Sequence, residues 1–384
     1  MPSLDVAMPI ALFMVVIVAL ALNKRVEGKL MATVEEKEFK SRDIVVLIIF
    51  MAIAVTGLAL AAMYNPGALF EDVILVFFLF SYSTLLFTIS YVFSGVPKIR
   101  AQLLSIGFGA GSIVAGIVCA LPPFQDNFTL VRVGAFIGLA VFCFGVAFYE
   151  QKDTSKKQRW YLAAQPPAIF VLLFVFFNFL NNAGTAAVWT PYLMDVFGLT
   201  FAVLIILYLS SLFNWKTVGL FAVLLTTMDI ILVIGTKVML TAAQSFSGLG
   251  LPVLVILPNV PFVAHVGGGI LLRGLGLGDF FFAGILAIQT SKKFGTRTAM
   301  TTVVAMAVSF GIWEAFLQDI INGLTPILGR NIGGWPATVC MITGWAPVIA
   351  WKMLSERRKK PIQPPVAEPS PSTLPISDQP NITG

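Results

Sequence analysis

Two aspartates stand inside stretches that are otherwise almost wholly apolar. Asp229 lies within the run Val218 to Gly235, and Asp279 within a run that opens at Gly274 and continues to Gln289. A carboxylate at the middle of a membrane helix costs about 2.5–3.5 kcal/mol on insertion scales, so one that is kept there is usually used. Asp279 follows Gly274-Leu275-Gly276-Leu277-Gly278. Those glycines remove side chains just ahead of the acid and let backbone come close. Two carboxylates about 3 Å apart cannot both ionise cheaply and share a proton. Such a pair can hydrolyse an amide. Its ionised member takes a proton from water, which attacks the carbonyl carbon, and its protonated member donates to the carbonyl oxygen. The two titrate as one unit, with no fixed acid or base at either position. Intramembrane acids beside Gly-broken helices serve a second chemistry equally well, the carriage of protons or cations by a transporter.

The elements that must position these acids are membrane helices. The chain has 384 residues, 58% hydrophobic and 11% charged, with a mean hydropathy of +0.89; soluble chains are about 25% charged. Apolar runs of bilayer-spanning length predict eleven spans: Met8–Leu22, Ile44–Met63, Val73–Phe93, Ala101–Leu121, Val133–Tyr149, Ala168–Trp189, Gly198–Phe213, Thr217–Gly235, Gly274–Gln289, Ala299–Ile321 and Pro336–Trp351. Nothing basic precedes the first, which reads as a retained anchor and not as a signal peptide. With these spans, 21 Lys and Arg fall on one side and four on the other. The basic side is cytoplasmic by the positive-inside rule, which places the C-terminus in the cytoplasm. Trp160, Trp189, Trp215, Trp335 and Trp351 mark span ends, as an aromatic belt would.

This topology yields a depth test. The Asp229 helix runs outward and the Asp279 helix runs back. Asp229 is six residues before Gly235, the outer end of its run, and Asp279 six residues after Arg273, the outer flank of its own, or roughly 9 Å each at helical rise. Neighbouring antiparallel helices can therefore set the two carboxylates face to face.

Other chemistries have little material. The basic pI of 9.2 comes from short loops, which set orientation and do not indicate nucleic-acid binding. A single histidine and no HExxH give no zinc-protease signature. Cys119, Cys143 and Cys340 fall inside spans and read as buried packing residues. No metal and no cofactor is expected.

Gly276-Leu277-Gly278-Asp279 resembles the GxGD signature of the presenilin and signal-peptide-peptidase family of intramembrane aspartyl proteases. Asp229 is placed as that family's first aspartate, on the preceding helix. Pro336-Ala337-Thr338, at the start of the last span, resembles its Pro-Ala-Leu motif. The family usually carries Tyr where this chain has Met228, and Leu where it has Thr338. The likeness runs from roughly Val73 to Lys352. It implies an all-α polytopic fold with a presenilin-like nine-helix core (66–352). Residues 1–65 are then an N-terminal two-helix extension with a cytoplasmic loop, and 353–384 a Pro-rich disordered tail. It implies catalysis by Asp229 and Asp279, with Gly276, Leu277, Gly278, Pro336, Ala337 and Thr338 positioning substrate. The deduced orientation resembles the signal-peptide-peptidase branch. Its substrates would be transmembrane helices with cytoplasmic N-termini, remnant signal peptides or type II membrane proteins, met in the lipid bilayer. Short loops point to a prokaryotic cell membrane, although an internal eukaryotic membrane is an alternative. A transporter, and an inactive relative that binds helices without cutting them, are the competing readings.

Several smaller features carry expectations. Pro252 to Pro258 is too short to span and reads as a strand; the resemblance implies that it pairs with an unwound substrate. Asn178, Asn181 and Asn182 share one helix side and suit interhelical hydrogen bonds. Asn23 to Asp43 reads as a solvated connector, His265 as structural and Arg273 as an interfacial anchor. Asn381-Ile382-Thr383 would go unglycosylated on a cytoplasmic tail. Glu314, a third acid in an apolar run, has no role assigned by the sequence.

Overall fold

The computed structural model describes residues 5–33, 39–64, 68–148, 156–181, 183–236, 248–260, 272–328 and 334–359. His265, Asn182, the tail beyond Lys359 and part of the Asn23–Asp43 connector lie outside them.

Apolar sequence of this length makes helices, because only a helix satisfies its own backbone away from water. They are α1 (Ala7–Thr33), α2 (Ser41–Tyr64), α3 (Ala68–Phe93), α4 (Lys98–Ala120), α5 (Thr129–Phe148), α6 (Lys156–Phe174), α7 (Ala183–Val188), α8 (Met194–Leu209), α9 (Trp215–Ile230), α10 (Leu277–Phe294), α11 (Thr296–Ala315), α12 (Leu317–Leu328) and α13 (Ala337–Lys359). Among the described residues, nine helices are long and apolar enough to cross a membrane. The chain is a predominantly α-helical, multi-pass membrane protein.

The centre of the bundle is α10. Ala283, Ile285, Leu286, Ala287 and Ile288 are all completely buried. A helix that is apolar all round belongs inside, and α10 is ringed by α1, α8, α9, α11 and α13. Two glycines set the spacing. A Cβ on Gly284 would stand 2.5 Å from Ile206 of α8, and one on Gly344 of α13 would strike the Ala305 carbonyl of α11. The first helix shares this core. Met8, Leu12, Val16 and Ala19 are buried, and α1 packs on α8, α10 and α11.

The structure corrects several boundaries. The helix read as Met8–Leu22 continues to Thr33. Within the expected connector, Asn23 donates to Glu27, and Glu27 pairs with Lys292 of α10 at 2.5 Å. The span read as Ala168–Trp189 begins earlier, with Pro166 and Pro167 inside α6. It ends through a π-helical turn, Val175–Phe179. There Asn181 donates to the Asn178 carbonyl and Asn178 to the Leu249 carbonyl at 2.9 Å. Asn178 thus ties the end of this span to a distant segment, as expected of it, while Asn181 satisfies a carbonyl left open at the helix end. The next span runs from Gly184 to Leu209 instead of Gly198–Phe213. Trp189, read as a belt residue, is fully buried and donates to the Gly250 carbonyl. The span read as Ala299–Ile321 breaks at Phe316, between α11 and α12.

A two-stranded antiparallel hairpin precedes α10: β1 (Leu254–Pro258) and β2 (Leu272–Gly276). The strand expected between Pro252 and Pro258 is β1. Its partner is a correction, because Gly274 and Gly276, read as the loosened start of a helix, are extended and α10 begins only at Leu277. Leu254 faces Gly276 and Ile256 faces Gly274. Leu277 N–H bonds the Val253 carbonyl, and Ile256 N–H turns outward to Asp195. Antiparallel alternation therefore directs the N–H and C=O of Gly274 and Gly276 away from β1.

Candidate active site

The residues singled out by type and spacing converge. One cavity of about 690 Å³ is lined by Asp229, Gly276, Leu277, Gly278, Asp279 and Ala337. Its wall is mainly apolar, completed by side chains of α2, α3 and α11. Thr338 and Pro336 are buried just behind that lining.

Asp229 is held from α13. Its Oδ2 accepts from the Thr338 hydroxyl at 2.6 Å, and the Thr338 backbone N–H also donates to it. The donors are those of the first turn of α13, where unsatisfied N–H groups and the helix dipole favour an anion. Thr338 is 4% exposed and Asp229 8%. The opposite end of α9 is fixed by a capping box, in which Asn214 accepts from Thr217 N–H and Thr217 returns a bond to Asn214 N–H. Just past Asp229 the helix loosens into a π turn, Ile231–Gly235, a distortion often found at functional sites. Met228 points into the apolar core.

Asp279 sits in the first turn of α10. Its carboxylate accepts from the backbone N–H of Gly276 and lies close enough to Asp229 for the two charges to interact. A Cβ on Gly276 would be 3.2 Å from Asp279 Oδ2. A side chain at 276 would therefore crowd the acid, whose carboxylate folds back over the glycine. Both aspartates face positive helix ends, Asp279 its own and Asp229 that of α13.

The hairpin brings an edge to this cavity. The outer edge of β1 is occupied, since Asp195 Oδ1 takes the Ile256 N–H at 2.7 Å and Tyr82 donates to the Pro252 carbonyl at 3.3 Å. The backbone of β2 lines the cavity at Gly274, Leu275 and Gly276.

The surroundings of the dyad hold two residues whose pairing the sequence left unread and one it did not single out. Arg273, expected as an interfacial anchor, pairs with Glu314 at 2.8 Å, both largely buried. Glu314 lines the cavity together with Trp313 and Trp335. Asp195 was overlooked because it lies within a stretch read as a loop between spans. No cluster of three or more His, Cys, Asp or Glu suited to a metal occurs among the described residues. Cys119, Cys143 and Cys340 are buried free thiols.

No family model, curated protein or solved structure matches this chain.

Proposed function

We propose that the chain is an intramembrane aspartyl endopeptidase, with Asp229 and Asp279 as its catalytic pair. The observation that carries this reading is that two acids from different helices line one cavity beside a strand edge. The dyad supplies the proton transfers of amide hydrolysis, and Thr338 and Gly276 hold its members with directed donors. A transmembrane substrate bonds its own backbone and must unwind before attack. The edge of β2 offers that unwound segment hydrogen bonds by strand addition, which directs the scissile carbonyl toward the acids. This shifts the expectation that β1 receives substrate: among the described residues the outer edge of β1 is engaged by Asp195 and Tyr82, so the reading assigns substrate to β2, at Gly274, beside the Gly276 N–H that holds Asp279. The resemblance to the presenilin and signal-peptide-peptidase family is of a piece with this arrangement. Helical substrates with cytoplasmic N-termini, and a C-terminus in the cytoplasm of a cell membrane, belong to the same proposal.

The test is cleavage of a transmembrane reporter by the protein reconstituted in liposomes, with the cut mapped by mass spectrometry. A cut within the apolar segment that Asp279→Asn abolishes supports the protease. Ion flux lost in Asp279→Asn, with no cut in any reporter, assigns the acids to transport instead.

A further inference from the structure

The hairpin beside the cavity is tied down, at the end farther from the dyad, by residues 5 and 6. Asp5 is 1% exposed. Its Oδ1 accepts the N–H of Val260, two residues past β1, at 2.9 Å, and the Val6 N–H donates to the Val260 carbonyl at 3.0 Å. The amide of Asn259, fully buried, turns its NH₂ to the same carboxylate at 3.1 Å. Asp5 Oδ1 also accepts the Ala7 N–H at 3.0 Å, at the start of α1, where the helix end favours an anion. A buried charge is costly unless it is hydrogen-bonded; three directed donors therefore fix this carboxylate in place. Through it, the end of β1 is joined to a helix that packs on α8, α10 and α11.

We infer that Asp5 is a positioning residue for the proposed proteolysis: it clasps the hairpin so that a substrate segment paired on β2 lies in one register against Asp229 and Asp279. The inference rests on the protease reading and deepens it. At its cavity end the hairpin is held by Asp195 on the Ile256 N–H, by Tyr82 on the Pro252 carbonyl and by the Leu277 N–H on the Val253 carbonyl. At the other end Pro258 faces Leu272, four strand positions from Gly276, or roughly 13 Å at about 3.3 Å each. There β1 has Asp5, and β2 has Glu314 of α11 on Arg273 at 2.8 Å. The two acids are near enough for their charges to interact. A two-stranded hairpin alone is at best marginally stable, so its far end lies where these contacts put it.

Register is what such a clasp protects. Pairing is weakly specified in Gly-rich strands, and β2 carries Gly274 and Gly276. A segment that slips along β2 keeps main-chain hydrogen bonds and brings a different peptide bond to the acids. A hairpin fixed at both ends presents one alignment, whereas one loosened at Asn259 and Val260 admits several.

The test reads Asp5 variants in two ways. Hydrogen exchange, followed by mass spectrometry in detergent, reports the amides of β1 and β2. Cleavage of a transmembrane reporter in liposomes, mapped by mass spectrometry, reports which bonds are cut. Asp5→Ala should speed exchange in the hairpin about tenfold and spread the cuts over neighbouring bonds. Asp5→Asn keeps an acceptor for the Val260 N–H, and Asn259 can turn its amide to match, so both readouts should return toward wild type. Asn259→Ala removes one donor only and should move both readouts in the direction of Asp5→Ala, by less. Gly284→Ala loosens the core away from the hairpin and should leave the cut where it is; spread cuts there as well would assign the effect to general loosening and overturn the role. Unchanged hairpin exchange in Asp5→Ala, or faster exchange with the wild-type cut, also overturns it. A wild type that cuts no reporter but shows the exchange response tells against the protease alone, whereas cleavage with an unmoved cut tells against the clasp's role alone.

Discussion

The Thr338 hydroxyl donates to Asp229 Oδ2 at 2.6 Å, joining residues 109 apart in sequence. It fixes the orientation of one acid from the first turn of another helix. A leucine at 338, as in the family the motif resembles, could not make this bond. Thr338→Val keeps the shape and deletes the donor. Hydrogen bonds to charged groups contribute about 1.5–3 kcal/mol, so kcat should fall roughly 10- to 100-fold with KM nearly unchanged. Thr338→Ser should restore most of it. Steady-state cleavage kinetics separate this from a substrate contact, which would raise KM instead.

Gly276 and Gly274 have different duties in the same strand. Gly274→Pro removes an N–H directed away from β1, at an edge position where proline is tolerated. Cleavage should drop at least tenfold, by the loss of a main-chain bond to substrate. Melting temperature in detergent should change little. Unaltered cleavage would mean that substrate does not pair on β2.

The outer edge of β1 depends on Asp195, whose carboxylate takes the Ile256 N–H at 2.7 Å. Asp195→Ala strands that N–H and should cost about 1–3 kcal/mol, read as a lower melting temperature. Asp195→Asn keeps an acceptor and should cost less.

Helix α10 is held by close packing at Gly284. Its added Cβ would meet Ile206 at 2.5 Å, so Gly284→Ala should destabilise by about 1–3 kcal/mol, the usual cost of overpacking. Ile206→Ala in the same molecule should return part of the loss. Thermal scans of the two single variants and the double variant give the coupling directly.

How far the sequence could be read depended on whether the deciding interaction was local. Asp229 and Asp279 were conspicuous because their surroundings are apolar, and the membrane class followed from the lengths of the runs. The β1 strand was marked by its flanking prolines. Its partner was hidden, because Gly274 to Gly276 has the composition of a loose helix start and only the pairing with Leu254 to Ile256 makes it a strand. The start of α6 differs from the expected Ala168 because Pro166-Pro167 has the look of a helix boundary, yet both prolines lie inside the helix. Glu314 was visible as an acid. Its role was not, since Arg273 reaches it from a different element.

The central claim is that Asp229 and Asp279 act as one unit. The direct measurement is single-turnover cleavage of one transmembrane reporter by wild type, Asp229→Ala, Asp279→Ala and the double variant. Members of a catalytic unit are strongly non-additive. Each single variant should therefore lose essentially all activity, and the double variant should be no worse than either. Wild-type rates in either single variant, or losses that simply multiply in the double, would contradict a shared site.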